Sequence, residues 1–281
     1  MELPENYLAV FETARRYDEM GDPYHAVKLY KKVIRLAPDF PDAYCALGRL
    51  YRKRKEWKPA FHYWKKAIGL DADNREGWWQ LGLAAVALKK MNVARSVWNK
   101  FGYGKMDVSA PFGLHLTHED GYEILWMQAL DPGRCRILSI PHPVSGLRYR
   151  QTMLYDRRAM KGTNVVSRRR VPIFQAVDSL KNSPYQTYSC LLHTGAESDV
   201  QQLERLAFEA GLGFEVWSNA SRAIALQHQD AFPEYYQDIV PRPDQGNTLI
   251  ALAAIHPAEV ERVLNNWQIV TLEQFSDLRS Y

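Results

Sequence analysis

Apolar positions in the first hundred residues recur at helical spacing, and the whole pattern then repeats. Written in steps of 34 residues from Tyr7, Pro41 and Arg75, the middle block reads Tyr44, Leu47, Gly48 and Tyr51, then Ala60, Trp64 and Ala67. The third reads Trp78, Leu81, Gly82 and Ala85, then Ala94, Trp98 and Phe101. The first reads Val10, Thr13, Ala14 and Tyr17, then Ala26, Tyr30, Val33 and Pro38. Each block is a large, a medium, a small and a large residue along one helix, then a small, an aromatic and a small-to-medium residue along a second. The small residue on the first helix lets the alanine-bearing helix approach, and the aromatics fill the space between neighbouring hairpins. Three stacked helical hairpins follow over about residues 5–104.

From Gly102 the helical period stops, and residues 105–111, within a Gly-, Ser- and Pro-rich stretch, read as a linker. Strand-forming runs flank Glu119, Asp120 and Gly121, the signal of a hairpin, and CRILSIPHPVSG and LRYRQTMLYD continue as short strands. These predict a small, mostly antiparallel sheet over 112–178. Beyond it, TYSCLLHT (187–194) alternates as a strand, and 197–211 carries Val200, Leu203, Leu206, Ala207 and Ala210 on one helical face. GFEVWSN, RAIALQ and TLIALAAI read as strands, PAEVERVLNNW as a second helix and IVTLEQF as a last strand. Strand, helix, strand, strand, helix, strand is the order of a ferredoxin-like βαββαβ unit, here over 187–275. The expected fold class is therefore α+β overall: a helical solenoid at 1–104, a linker at 105–111 and an α+β domain at 112–281.

The 34-residue pattern resembles the tetratricopeptide repeat, W-x₂-L-G-x₂-Y…A-x₃-F…P. The resemblance implies that the first helix of each hairpin lines a concave surface. Positions one and five beyond the first aromatic, with their neighbours, then collect Phe11, Arg15 and Asp18; Cys45, Arg49, Arg52 and Lys53; and Trp79, Leu83 and Val86. A basic centre with apolar ends suits an extended or helical peptide that carries acidic residues beside an apolar anchor. Residues from about Phe112 to Phe275 resemble an uncharacterised bacterial family catalogued as domain of unknown function 4265. The likeness rests on EDG (119–121), ILW (124–126), RCRILSIP (134–141), a Gly-Leu-x-Tyr (146–149) and the βαββαβ order. Arg150 and Gln151 stand where that family carries an acidic residue, and 220–247 reads as an insertion. These are mainly turn and core residues, so this resemblance implies a fold and no chemistry.

Composition adds the chemistry that can be set aside. Residues 46–68 hold eight Lys or Arg, with Tyr51, Trp57, Phe61, Tyr63 and Trp64 between them, the mixture a single-stranded nucleic-acid groove uses. The repeat assigns Tyr51 and Trp64 to packing, and a net charge of +4 over 281 residues is mild for a nucleic-acid binder. The densest positive region outside the repeats is SRRR (167–170), with Arg148, Arg150, Arg157, Arg158 and Lys161 nearby. Arg168, Arg169 and Arg170 are thus candidates for contact with phosphate or an acidic partner. They sustain a nucleic-acid-associated alternative.

Cys45, Cys135 and Cys190 are far apart and form no CxxC pair, which suits a reducing compartment. The N-terminus has no signal-peptide pattern and no apolar run is long enough to cross a bilayer, so a cytoplasmic protein is expected. No phosphate-binding glycine loop and no GxSxG elbow occurs. In HLTHED (115–120), His115 and His118 would hold zinc from a helix, but on a strand they face opposite ways. His142, between two prolines, reads as a turn residue before a general base. No metal, cofactor or catalytic residue is expected. The reading is a non-catalytic bacterial module that binds another protein, with an immunity or antitoxin role as its specific form by analogy. A hydrolase or metalloenzyme centred on His115, His118 or His142 is the third class.

Overall fold

The computed structural model describes residues 6–102, 112–118, 121–166, 169–217 and 246–281. Contacts divide the chain into two compact units, 1–106 and 107–281. The first is built of α1 (Tyr7–Glu19), α2 (Pro23–Leu36), α3 (Pro41–Lys53), α4 (Trp57–Leu70), α5 (Arg75–Ala87) and α6 (Met91–Lys100). Asn6, Asp22 and Asn74 cap α1, α2 and α5, each accepting a backbone N–H of the first turn. Pro23 and Pro41 open α2 and α3, where a missing N–H costs nothing.

The turn inside each hairpin is the same structure three times. Gly21, Lys55 and Lys89, 34 positions apart, hold φ of 78°, 57° and 59°. The following amides, of Asp22, Glu56 and Lys90, donate to the carbonyls of Tyr17, Tyr51 and Ala85 at 2.8, 2.9 and 2.7 Å. This is the left-handed C-terminal cap that ends one helix and turns the chain into the next. The connections between hairpins also repeat: Tyr44 Oη donates to the Pro38 carbonyl at 2.8 Å, and Trp78 Nε1 to that of Ala72 at 2.9 Å.

Ala14, Ala26, Tyr30, Leu47, Ala60, Trp64 and Ala67 make the solenoid core, all of them buried. Gly48 and Gly82 sit directly against Trp64 and Trp98, which is the close approach that the small positions of the pattern require.

In the second unit, β1 (Phe112–His118), β2 (Gly121–Ala129), β3 (Arg134–Ile137), β4 (Thr152–Val166) and β5 (Arg169–Lys181) form a meander that closes on itself. The seam is parallel, pairing Gly113 with Ile173 and His115 with Gln175. Leu114, Leu125, Met127, Cys135, Ile137 and Leu154 are fully buried. The expected fold class, a small antiparallel sheet with a ferredoxin-like unit, is overturned here: the sheet is a closed five-stranded barrel. Register shifts along β4 at Leu154/Tyr155 and between Asp156 and Gly162 accompany the closure, and such irregularities bend and twist a strand.

The remaining elements are β6 (Gln186–Leu192), α7 (Glu197–Glu209), β7 (Gly213–Val216), β8 (Thr248–Ala254), α8 (Pro257–Thr271) and β9 (Phe275–Ser280). They make a separate four-stranded sheet in the order β7-β8-β6-β9. Leu203 and Ala207 of α7 and Val260, Leu264 and Trp267 of α8 cover one face. Ala251 and Ala253 on the other face pack against Trp217 and Ile140, the latter from the loop after β3. That loop is fixed at both polar groups of Ile140. Its N–H donates to Glu215 Oε2 at 2.6 Å, and its carbonyl accepts Trp217 Nε1 at 3.2 Å.

One boundary also differs from the expectation. Ile269, Val270 and Thr271 continue α8 instead of starting a strand; Leu272, at φ 63°, ends the helix, and β9 begins only at Phe275. The linker 105–111, the Glu119–Asp120 turn and the run RAIALQ lie outside the described residues.

Candidate protein-binding face

The expected binding residues come mainly from α1 and α3, which an ion pair joins. Lys53 Nζ on α3 lies 3.2 Å from Asp18 Oδ1 on α1. Arg15 is paired within its own helix, to Glu12 at 3.0 Å and Glu19 at 3.4 Å. Such exposed pairs add little stability, but they neutralise the charges that form them.

Beneath them Tyr30 of α2 is 1% exposed. Its hydroxyl pKa is pushed up to about 12, first by burial and next by the Asp18 carboxylate, with Arg49 and Arg15 acting in the opposite direction. Asp18, Arg15 and Arg49 therefore converge over one buried phenol. Phe11 borders the group, half-buried, with its ring 5.4 Å from Tyr30 and 5.1 Å from Phe40. Arg49 is exposed, and among the described residues it has neither a hydrogen bond nor an ion pair. Arg52, one turn on, is half-buried.

Four of the expected residues, Cys45, Trp79, Leu83 and Val86, are not on an open surface. Cys45 is 5% exposed; its sulfur accepts from Asn74 Nδ2 at 3.4 Å, and burial raises the thiol pKa. Trp79 and Leu83 are 1% and 0% exposed, with the Trp79 ring 4.9 Å from Trp98. They are core residues because α5 is buried continuously from Trp79 to Val86, whereas α3 leaves Arg49 exposed. The face that remains is Phe11, Arg15, Asp18, Arg49, Arg52 and Lys53.

Of the second candidate group, Arg168 lies outside the described residues, and Arg169 and Arg170 pair with Val166 and Val165 across β4 and β5. Among the described residues no three His, Cys, Asp or Glu gather where a metal could sit. His115 and His118 lie on β1, and His115 Nδ1 is buried. His142 caps the short 3₁₀ turn Pro143–Ser145, its Nδ1 accepting the Val144 N–H at 3.3 Å, with its ring 5.7 Å from Trp217. Among the described residues no helix is long and apolar enough to cross a membrane.

Sequence reasoning missed a cleft lined by Arg75, Trp78, Lys100 and Phe101 at the end of the third hairpin. Its one signal is Phe101, standing where the earlier blocks have Val33 and Ala67.

Comparison with known proteins bears on the first unit. Two models of the tetratricopeptide repeat match, over residues 14–40 and 29–58, and the N-terminal unit is a tetratricopeptide-repeat region. The human protein O-mannosyl-transferase TMTC3 is 35% identical over 69 residues, which are 25% of this chain and 8% of that protein. The chain thus spans under a tenth of that relative's length. Among solved structures, MamA is similar at 24% identity and a TM-score of 0.33, over 36% of this chain and 60% of that one. The first repeat domain of Spaghetti (RPAP3), bound to the HSP90 peptide SRMEEVD, is similar at 20% identity and a TM-score of 0.33. That match covers 35% of this chain and 78% of that one. Yeast Tom70 is similar at 20% identity and a TM-score of 0.33, over 37% of this chain and 21% of that one. Tetratricopeptide-repeat domains generally mediate protein–protein interactions.

Proposed function

We propose that this protein binds another protein through the α1–α3 face of its repeat unit, holding an acidic segment of the partner on Arg49 and Arg52. The observation that carries the reading is Arg49: an exposed guanidinium, without an ion-pair partner among the described residues, between two cations that are already paired. Its planar fork matches a carboxylate bidentately, and Phe11, whose ring packs on Tyr30, offers an apolar contact for a neighbouring residue of the partner.

The activity is stoichiometric occlusion or scaffolding, and neutralising a toxin is one form it takes. The free, buried thiols Cys45, Cys135 and Cys190 support a reducing, cytoplasmic setting. The test is capture by the tagged full chain from a nuclease-treated extract of its native cells. Wild type is compared with the Arg49→Glu/Arg52→Glu double variant. One protein retained near equal stoichiometry by wild type and lost by the variant supports the reading, and a toxin as that protein supports the immunity form. Retention that ignores the substitutions, or that disappears with nuclease, overturns it.

A further inference from the structure

The four-stranded sheet ends at β9, which pairs with β6 alone among the described strands. Asp277, Leu278, Arg279, Ser280 and Tyr281 are all exposed, Leu278 at 39%. The Tyr281 N–H donates to the Thr187 carbonyl at 3.0 Å, toward β6. Backbone groups alternate along a strand, so those of Ser280 and Leu278 turn outward, where another strand could add to the sheet.

The residues of this edge select that strand. From Phe275 they read Phe-Ser-Asp-Leu-Arg-Ser-Tyr, and the reverse direction gives the same order of chemistry: aromatic, serine, charge, leucine, opposite charge, serine, aromatic. An antiparallel contact about a two-fold axis sets a strand against its own reverse. Centred on Leu278, it places Asp277 opposite Arg279 of the second copy, and Arg279 opposite Asp277. Serine then faces serine, and Phe275 faces Tyr281 at each end. Aromatic, hydroxyl and opposite-charge pairs are the ones that stabilise facing strands. An axis at Arg279 would instead set two guanidinium groups against each other. Among the described residues Arg279 makes no ion pair, and Asp277 meets only the Ser276 hydroxyl, at 3.4 Å.

The edge also carries a feature that discourages other strands. Between the pairs Ser189–Arg279 and Leu191–Ser276, two residues, Asp277 and Leu278, face Cys190, and Asp277 stands at φ 53°. Such a bulge twists an edge away from a regular strand, whereas a second copy brings the same bend to the same place. We propose that this protein forms a two-fold dimer through β9, which joins the two sheets edge to edge. The contact lies in the second unit and shares no residue with the α1–α3 face, so it stands or falls separately from the function proposed above.

The test is sedimentation equilibrium of the full chain over a wide range of concentration, with hydrogen exchange on the same samples. Wild type should approach twice the chain mass, and the Leu278 and Ser280 amides should exchange more slowly as the dimer fills. Asp277→Lys sets a lysine against Arg279, and Arg279→Glu sets a glutamate against Asp277. Each alone should raise the dimer dissociation constant about tenfold or more, because two like-charge contacts replace two attractive ones. An equal mixture of the two variants restores both pairs and should recover the wild-type affinity as a heterodimer. The proposal is overturned by wild type that stays monomeric at every concentration, or by a dimer whose Leu278 and Ser280 amides exchange as fast as in the monomer. Indifference to both substitutions, or a mixture no tighter than its components, overturns it equally.

Discussion

Gly48 and Trp64 meet so closely that a Cβ on Gly48 would lie 2.6 Å from Trp64 Cε2. The contact is between the two helices of one hairpin, and Gly82 and Trp98 reproduce it in the next at 2.9 Å. Gly48→Ala therefore forces the indole or a helix to move, and should destabilise the first unit by about 1–3 kcal/mol. Gly69, on α4, has nothing within 4 Å of the equivalent point, so Gly69→Ala should stabilise by about 0.5–1 kcal/mol. Urea unfolding of the two variants, read by far-ultraviolet dichroism, should move in opposite directions.

Lys89 occupies at φ 59° the turn position that is Gly21 in the first hairpin. The left-handed conformation costs a side-chain-bearing residue about 1–2 kcal/mol, a cost glycine does not bear. Lys89→Gly should raise the urea midpoint of the repeat unit by an amount equivalent to about 1 kcal/mol. Lys89→Val, with a branched Cβ at the same φ, should lower it.

Burial raises the thiol pKa of Cys45 and Cys135, and pushes that of Cys190 up to about 12. The neutral thiol is the form held in the folded state, so the unfolded chain releases protons first, from about pH 8.5. Stability should accordingly be constant below that pH with respect to these groups and decline as pH rises above it. A thiol-specific chromogenic reagent at pH 8 should react slowly with native protein and release three equivalents on addition of denaturant.

Glu215 fixes the loop after β3 to the second sheet through the 2.6 Å bond from the Ile140 N–H. Glu215→Ala leaves that amide without its acceptor, and should cost the second unit about 1–3 kcal/mol. Glu215→Gln keeps an acceptor and should cost less. Intrinsic fluorescence of Trp217, packed beside Ile140, compared with a Trp217→Phe background, reports the change during urea unfolding.

The repeat was legible because its contacts are local and recur. Gly48, Ala60 and Trp64 lie within seventeen residues of one another, and the same trio returns as Gly82, Ala94 and Trp98. The lysines at the left-handed turn positions carry no conformational signal of their own, so only the Gly21 alignment hints at them. Barrel closure was not legible. It depends on a parallel pairing of Gly113 with Ile173, sixty residues apart, and on irregularities inside β4 that no residue type announces. Ile269, Val270 and Thr271 read as strand because they are β-branched, yet they extend a helix already anchored by Trp267. On the candidate face, repeat position identified α1 and α3 but gave no measure of burial. Arg49 and Leu83 hold the same position in adjacent repeats, one exposed and the other in the core.

The most direct measurement is the affinity of the captured partner for wild type, for Arg49→Glu, and for Arg95→Glu, a control with the same charge reversal at an exposed site on α6. Titration calorimetry should show binding unchanged in the control and weakened about a hundredfold in Arg49→Glu, the roughly 3 kcal/mol of a lost charge-assisted hydrogen-bond pair. Equal affinity for all three proteins would place the partner elsewhere and contradict the account.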